Sequence, residues 1–97
     1  MDIGAGAGIF ADVAYENGWN VTAIDPALDP ERVKRSSTIK MIKGTTDKIP
    51  SGELYDVVTL WDVIEHTATP VELIYKSKQH LKAGGWIVIE TDIIRMY

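Results

Sequence analysis

Cysteine is absent from this chain of 97 residues. Its absence excludes disulfide bonds, thiolate zinc sites and cysteine nucleophiles together, and no metal site is predicted. The chain also lacks a signal peptide, internal repeats, low-complexity tracts and any apolar run that approaches the roughly 20 residues of a membrane-spanning helix. We therefore expect one cytoplasmic domain without a membrane span.

Strong charge of either sign is missing as well. The formal net charge is −4 at pH 7, and 25% of the residues are charged while 45% are hydrophobic, which is ordinary for a globular protein. No dense basic stripe is present, and this argues against a nucleic acid partner. At 97 residues the chain is shorter than the common domain size of roughly 100–150 residues, so it can bury only a modest core.

Glycine is concentrated at the start of the chain, where Gly4, Gly6 and Gly8 occupy alternate positions. Residues without a β-carbon permit a sharp strand-to-helix turn and let a ligand approach the backbone. Asp25 ends the short apolar run at residues 21–24 and can accept hydrogen bonds from the two hydroxyls of a ribose. The two features together indicate a ligand that contains adenosine.

Short apolar runs predict the strands that follow the glycine loop. The run at residues 21–24 is typical of a strand buried on both faces, and residues 57–60 have the β-branched content of a central strand. Lysines alternate with apolar residues at 39–43, which predicts a strand nearer an edge of the sheet. Residues 86–89 form the last predicted strand, and residues 92–97 stay ambiguous.

Hydrophobic spacing and capping residues predict helices between these strands. The first helix is expected over residues 8–17, where Asn17-Gly18 suits a helix end. Asp29-Pro30-Glu31 marks a brief second helix. Thr69-Pro70-Val71-Glu72 combines a capping box with proline in the first turn, and the helix that it begins is expected to end at Gly84-Gly85.

Alternating strands and helices predict a parallel sheet with helices on both faces and right-handed crossovers. The expected strand order is 3-2-1-4-5, and in such a sheet the ligand binds at the carboxyl ends of the strands, where the order reverses. The glycines, Asp25, Thr45-Thr46 and Trp61-Asp62 all follow predicted strands. We therefore expect these residues to converge at one edge of the sheet.

The position of the third glycine separates two families of nucleotide-binding loops. The dinucleotide pattern G-x-G-x-x-G would need glycine at position 9, whereas the chain has Ile9 and places the third glycine at Gly8. Residues 2–8, D-x-G-x-G-x-G, resemble motif I of the class I S-adenosylmethionine-dependent methyltransferases. Residues 55–66 are similar to the fourth strand of that family. Residues 81–90 are similar to its turn into the fifth strand, with Ala83 in place of the usual proline.

The resemblance implies a fold and an activity. The fold would be a Rossmann-like, doubly wound, three-layer α/β/α sheet that lacks the family's terminal antiparallel hairpin, and residues 1–97 would be a single cofactor-binding core, a partial domain cut at both ends. S-adenosyl-L-methionine would be the cofactor and S-adenosyl-L-homocysteine the product. The methyl group would pass to a small-molecule acceptor, whose reacting atom could be oxygen, nitrogen or carbon.

The resemblance also implies roles for particular residues. Asp2 would orient the loop and the methionine ammonium, and Thr45-Thr46 would border the adenine, although the family commonly has Gly-Asp-Ala where this chain has Gly44-Thr45-Thr46. Trp61 would form either a wall of the cofactor site or the top of the core. A buried Asp62 carboxylate would need a polar partner. The implied cofactor-binding residues are Asp2, Gly4, Ala5, Gly6, Gly8, Asp25, Pro26, Thr45, Thr46, Leu60, Trp61 and Asp62.

Glu65-His66 resembles a Glu-His pair that is common in one methyltransferase subfamily. His66 is the candidate catalytic residue, because an imidazole titrates near neutral pH and could act as a general base toward a hydroxyl substrate. A structural role for the pair, in capping the chain before Thr69, is the competing interpretation.

Two other functions stay open at this point. One is a truncated S-adenosylmethionine-binding module without catalysis of its own, and the other is an NAD-dependent dehydrogenase, which the position of Gly8 disfavours. A sheet that ends at its fifth strand would expose an edge and apolar faces. A homodimer or a marginal fold is the hypothesis that follows from this exposure.

Overall fold

A computed structural model describes residues 1–29, 31 and 38–90 of the chain. Most of the short helix that is expected from Asp29 onward lies outside the described residues, and so do residues 92–97. Within the described part, five strands form one parallel sheet in the order β3-β2-β1-β4-β5. The predicted topology is confirmed.

The strands agree with the predicted runs to within a few residues, apart from the last one. Their bounds are β1 Asp2–Ile3, β2 Thr22–Asp25, β3 Lys40–Lys43, β4 Tyr55–Trp61 and β5 Leu81–Glu90. The shortest strand, β1, lies in the centre of the sheet, where Asp2 is paired with Ala23 on one side and with Thr59 on the other. The edge position predicted for β3 is confirmed.

Two α-helices cover opposite faces of the sheet. Helix α1 spans Ile9–Glu16 and begins after Gly8, while α2 spans Pro70–Lys78. The end of α1 is a Schellman motif, because Gly18 N donates to Tyr15 O at 3.0 Å and Trp19 N to Ala14 O at 3.1 Å. Gly18 has a φ of +91°, as the predicted helix end requires.

The start of α2 is confirmed, but its predicted end is wrong. Thr69 is the N-cap residue and Pro70 follows in the first turn, although the Thr69 side chain makes no capping hydrogen bond. The helix ends at Lys78, and the chain joins β5 at Leu81 because Tyr55 N donates to His80 O at 2.7 Å. Residues 81–85, which the sequence pattern assigns to the helix, are therefore part of β5 because that strand pairs with β4.

Gly84-Gly85 belongs to a bulge of β5 and does not end a helix. Leu81 is paired with Tyr55 and Trp86 with Val57, so residues 82–85 lie opposite a single residue of β4. Such a bulge lets the strand resume its register after the extra residues.

The buried core has two unequal parts. One cluster lies on the face that α2 covers, and the other is small and lies between α1 and the sheet. The first contains Met1, Ile3, Ile24, Ile49, Val58 and Leu60. The second contains Ala11, Ala23 and Ile39. The face of the sheet toward α1 is therefore thinly covered.

Candidate functional site

The glycine loop connects β1 to α1 and has a left-handed backbone at all three predicted glycines. Gly4, Gly6 and Gly8 have φ angles of +74°, +58° and +80°. Gly4 N and Ala5 N both donate to Ile24 O, at 2.8 and 3.0 Å, so the loop is fastened to the end of β2. Side chains at such angles are strained, which explains why this turn is made of glycine.

The space around the loop differs between two of its glycines. A β-carbon on Gly4 would collide with a side-chain methyl group of Val63, whereas a β-carbon on Gly6 would meet nothing within 4 Å. Gly4 is therefore required for packing. Gly6 leaves open space above the loop, as a backbone that must accept a ligand would.

Asp25 lies at the carboxyl end of β2, directly beside the loop. Its Oδ2 accepts a hydrogen bond from Gly6 N at 3.0 Å, and its Oδ1 accepts one from Ala27 N at 2.7 Å. The sequence predicts a ribose acceptor at this position but gives no indication of the bond to Gly6. Pro26, the next predicted site residue, is exposed beside it.

Asp2 is the buried acid of the site. Only 3% of its surface is exposed, and its Oδ1 accepts a hydrogen bond from Thr59 Oγ1 at 2.7 Å. Burial raises the pKa of Asp2 from its ordinary value of 3.8 to about 6, while the hydrogen bond from Thr59 opposes this rise. Thr59 was missed from the sequence, where the only signal for it is its place on β4, one strand away from Asp2.

The end of β4 places its three predicted site residues in different environments. Leu60 is fully buried in the core, so its side chain faces away from any ligand at the loop. Trp61 packs against Phe10 edge to face, with ring centroids 4.9 Å apart. Trp61 Nε1 is buried and has no hydrogen-bond partner in the part of the chain that the structure describes.

The expectation of a buried Asp62 carboxylate is wrong. The residue is exposed and has a φ of +53°, and its backbone N donates to Glu90 O at 2.9 Å. The chain turns sharply after β4, which directs this side chain to solvent. The indole N–H of Trp61, one residue earlier, is the group that lacks a partner among the described residues.

The loop after β3 reaches the same edge of the sheet. Gly44 N donates to Asp25 O at 3.2 Å, which brings Thr45 and Thr46 close to the end of β2. Thr45 is exposed, while Thr46 is buried at the start of the 3₁₀ helix Thr46–Lys48. Of the two threonines, only the first has a side chain available to a ligand.

His66 lies in a second 3₁₀ helix, Ile64–His66, beyond the end of β4. Its side chain is 77% exposed, and its Nε2 lies 3.5 Å from Glu65 Oε1. The backbone N of Thr69 is bonded to Thr67 Oγ1, at 3.3 Å. The side chain that caps the chain before α2 is therefore Thr67. Among the described residues, the His66 ring makes no hydrogen bond to this segment.

A cavity of about 470 Å³ lies along the α1 face of the sheet and meets the site at one end. Its lining includes Asp2, Thr59, Trp61 and Phe10 but neither the glycines of the loop nor Asp25. Asp25, the glycine loop and the turn at Gly44-Thr45 therefore meet at the carboxyl ends of the strands, whereas this cavity extends lower on the sheet.

Comparison with known proteins agrees with this geometry. A family model described as a methyltransferase domain matches residues 1–95. The chain belongs to the methyltransferase domain family. This membership argues against the dehydrogenase alternative.

Relatives of this methyltransferase domain include two bacterial ubiquinone biosynthesis O-methyltransferases. The protein of Rickettsia prowazekii (strain Madrid E) is 33% identical over 94% of the chain, and that of Hydrogenovibrio crunogenus (strain DSM 25203 / XCL-2) is 29% identical over 94% of the chain. The chain spans 38% and 41% of the lengths of these two proteins.

Solved structures show the same fold. A Nostoc punctiforme PCC 73102 protein, provisionally called an O-methyltransferase, superposes on 91% of the chain with a TM-score of 0.72 and 26% identity, and 30% of that protein is covered. The plantazolicin methyltransferase BpumL, solved with a pentazolic desmethylPZN analog and SAH, superposes on 91% of the chain with a TM-score of 0.70 and 21% identity, and 36% of it is covered. The second likeness concerns the fold alone.

The helices that the structure describes are short. None of them is both long and apolar enough to cross a membrane.

Proposed function

We propose that residues 1–97 form a single S-adenosylmethionine-binding core, a partial domain of a methyltransferase that acts on a small molecule. The observation that carries the proposal is the glycine loop, which is fastened to β2 and leaves the space above Gly6 open. The family match over residues 1–95 supports it. The names of the relatives favour a hydroxyl oxygen as the methyl acceptor.

The residues of the site fit such a cofactor in charge and in hydrogen bonding. Bound S-adenosylmethionine would supply an activated methyl group on its sulfonium. The carboxylate of Asp2 beneath the loop would favour an ammonium group above it, and Asp25 would accept hydrogen bonds from ribose hydroxyls. Ala5 and Pro26 would contact the cofactor near these two acids, and Thr45 would border the adenine. Trp61 Nε1, which has no hydrogen-bond partner among the described residues, would donate a hydrogen bond to the cofactor or to the methyl acceptor.

Methyl transfer to oxygen needs alignment more than it needs strong acid or base catalysis. The glycine loop and the aromatic pair of Phe10 and Trp61 would align the reacting groups and exclude water. The exposed imidazole of His66 lies after β4, from where it can accept the proton of an acceptor hydroxyl. We further propose a cytoplasmic location, with a small-molecule acceptor and no nucleic acid partner.

The test of the proposal is calorimetric titration with S-adenosylmethionine and S-adenosylhomocysteine, with NAD as the control ligand. Saturable binding of the first two alone is expected. Gly6→Val should weaken this binding about tenfold or more, because the branched side chain would fill the open space above the loop. Gly52→Val is the matched control, since Gly52 also has a positive φ, +85°, and an unobstructed β-carbon position, but it lies in a different loop.

The outcomes separate the candidate functions. Equal affinity of the Gly6→Val and Gly52→Val variants would show that the open space above Gly6 does not hold the cofactor. Preferential binding of NAD would contradict the proposal. Binding without transfer of a labelled methyl group to catechol, a hydroxyl probe, or to aniline, an amine probe, would favour a binding module without catalysis.

A further inference from the structure

The tip of the glycine loop is held by one side chain. Gly4 N and Ala5 N donate to Ile24 O, and Gly8 N donates to Ala5 O at 2.9 Å, so both ends of the loop are fixed by backbone bonds. Gly6 lies between them, is exposed, and donates its N–H to Asp25 Oδ2 at 3.0 Å. No other hydrogen bond of this N–H is found among the described residues.

The other oxygen of the same carboxylate is fixed as well. Asp25 Oδ1 accepts from Ala27 N at 2.7 Å, which locks the rotamer of Asp25 from the side of its own turn. The backbone of Asp25 adds a third link, because its carbonyl oxygen accepts from Gly44 N at 3.2 Å. Asp25 therefore joins three loops: the glycine loop, the turn after β2 and the turn after β3.

We infer that Asp25 is a positioning residue that sets the tip of the glycine loop, in addition to its contact with the ribose. The inference rests on the proposed function for its ligand but on the hydrogen bonds above for its geometry. Each carboxylate oxygen has a second lone pair, so Asp25 can accept from two ribose hydroxyls while it keeps both backbone N–H groups. The nucleoside half of the ligand and the loop that carries the other half are then coupled through one carboxylate.

The decisive experiment uses two ligands and two variants. S-adenosylhomocysteine and its 2′,3′-dideoxy analogue are titrated into the wild-type chain, into Asp25→Ala and into Asp29→Ala. The analogue lacks the hydroxyls that Asp25 would bind, so a ribose contact alone would leave its affinity unchanged by Asp25→Ala. We expect Asp25→Ala to lower the affinity for the analogue about threefold to tenfold, because the tip of the loop is no longer held. This is the size of the effect of one lost hydrogen bond.

Asp29→Ala is the matched control. It removes the same charge four residues further along the chain, where Asp29 Oδ1 accepts from Glu31 N at 3.1 Å. The affinity of this variant for both ligands should match that of the wild type. Equal losses in the two variants would mean that charge alone is responsible and would overturn the inference, as would an unchanged affinity of Asp25→Ala for the analogue.

A second readout needs no ligand. Hydrogen exchange of the Gly6 amide, followed by NMR, should be faster in Asp25→Ala, while exchange of the Val58 amide in the centre of the sheet stays at the wild-type rate. An unchanged Gly6 rate would overturn the inference. If the wild-type chain bound neither ligand, the proposed function would fail while this readout still decided the role of Asp25.

Loss of the fold in Asp25→Ala would appear as fast exchange at Val58 too. Asp25→Asn then replaces it, because asparagine has the same shape but keeps only one oxygen acceptor for the two backbone N–H groups. Weaker binding of the dideoxy analogue, or faster exchange at Gly6, would support the inference in that variant. Wild-type values for both would reject it.

Discussion

The carboxylate of Asp2 is buried at the centre of the sheet, where an ionised group is costly. Asp2 is almost fully enclosed, and one hydrogen bond, from Thr59, replaces the water that the carboxylate loses. Burial raises its pKa to about 6, so the ionised form is less stable in the folded chain than in the unfolded one. A positively charged ligand beside a buried carboxylate stabilises its ionised form. Binding of such a ligand therefore offsets part of the free energy that burial costs.

The free energy of unfolding should therefore depend on pH through Asp2. Since its pKa is higher in the folded chain, the folded state binds more protons between pH values near 4 and 6, and stability falls as pH rises through this window. Asp2→Asn removes the charge and keeps an acceptor for Thr59. We expect the variant to be more stable than the wild type at pH 7 by about 3 kcal/mol, with the two converging near pH 4.

Urea unfolding at intervals from pH 4 to pH 8 measures this effect. Asp56→Asn serves as the control, because Asp56 is exposed and its Oδ2 lies 3.4 Å from Lys82 Nζ. The stability of this variant should fall with rising pH as that of the wild type does. Parallel curves for the wild type and Asp2→Asn would contradict the assignment. The same substitution should weaken binding of S-adenosylmethionine, so stability and the proposed function would change in opposite directions.

Single residues could be predicted well where their role is local. Positive φ at the loop glycines and at Gly18 follows from the sequence pattern around each of them. The partners of Asp2 and Asp25 could not be predicted, because Thr59 lies 57 residues from the first and Gly6 lies 19 residues from the second. A side chain reveals that it needs a partner, but only the fold determines which one it meets.

At the scale of the elements, the last strand shows how long-range pairing overrides a local signal. Gly84-Gly85 has the composition of a helix end, yet it forms the bulge by which β5 keeps its register with β4. The start of α2 could be predicted because proline and threonine act within one turn. Its end could not, because it depends on the contact between Tyr55 and His80.

The two glycines of the bulge should respond differently to alanine. A β-carbon on Gly85 would lie 2.8 Å from Asp56 O and 2.9 Å from Lys82 O, both rigid backbone atoms. We expect Gly85→Ala to lower the free energy of unfolding by about 3 kcal/mol, at the upper end of the cost of overpacking. The bulge would have to open to relieve the contact.

Gly84→Ala is the neighbouring control for this prediction. Gly84 has a φ of +79°, but its β-carbon would meet nothing within 4 Å, so the loss should be about 1 kcal/mol. Urea denaturation of both variants gives the comparison. A larger loss for Gly84→Ala would show that backbone strain, and not the contact with Asp56, dominates the bulge.

At the scale of the molecule, the strand order was predictable because each βα step obeys the same crossover rule. The distribution of exposed apolar surface was less predictable from the sequence than the strand order. Large side chains on the α1 side of the molecule are exposed, including Trp86 at 72%, Trp19 at 55% and Val88 at 38%. The chain spans 38% and 41% of the lengths of the two relatives named above.

We predict that the chain of 97 residues self-associates through this surface. Sedimentation velocity over a range from about 5 to 200 μM should show the average mass rise with concentration, because exposed apolar patches favour association. Trp86→Lys should keep the chain monomeric and folded, since the side chain is on the edge strand and mostly exposed. Tyr75→Lys alters a residue of α2 that is 65% exposed on the opposite side and should leave the association unchanged. A single mass at every concentration would reject the homodimer hypothesis.

The central position of β1 also determines the order in which the sheet can be completed. Its pairing with β2 closes a short stretch of chain, but its pairing with β4 joins Asp2 to Thr59, which must wait for the chain between them. Contacts between distant residues form late in folding, because the entropy of a long loop opposes them. Thr59 encloses Asp2 and the end of β4 supplies Trp61, so the site is complete only once β1 and β4 are paired. A chain synthesised only as far as Asp25 therefore contains the residues of its glycine loop but lacks Thr59 and Trp61, which complete the site.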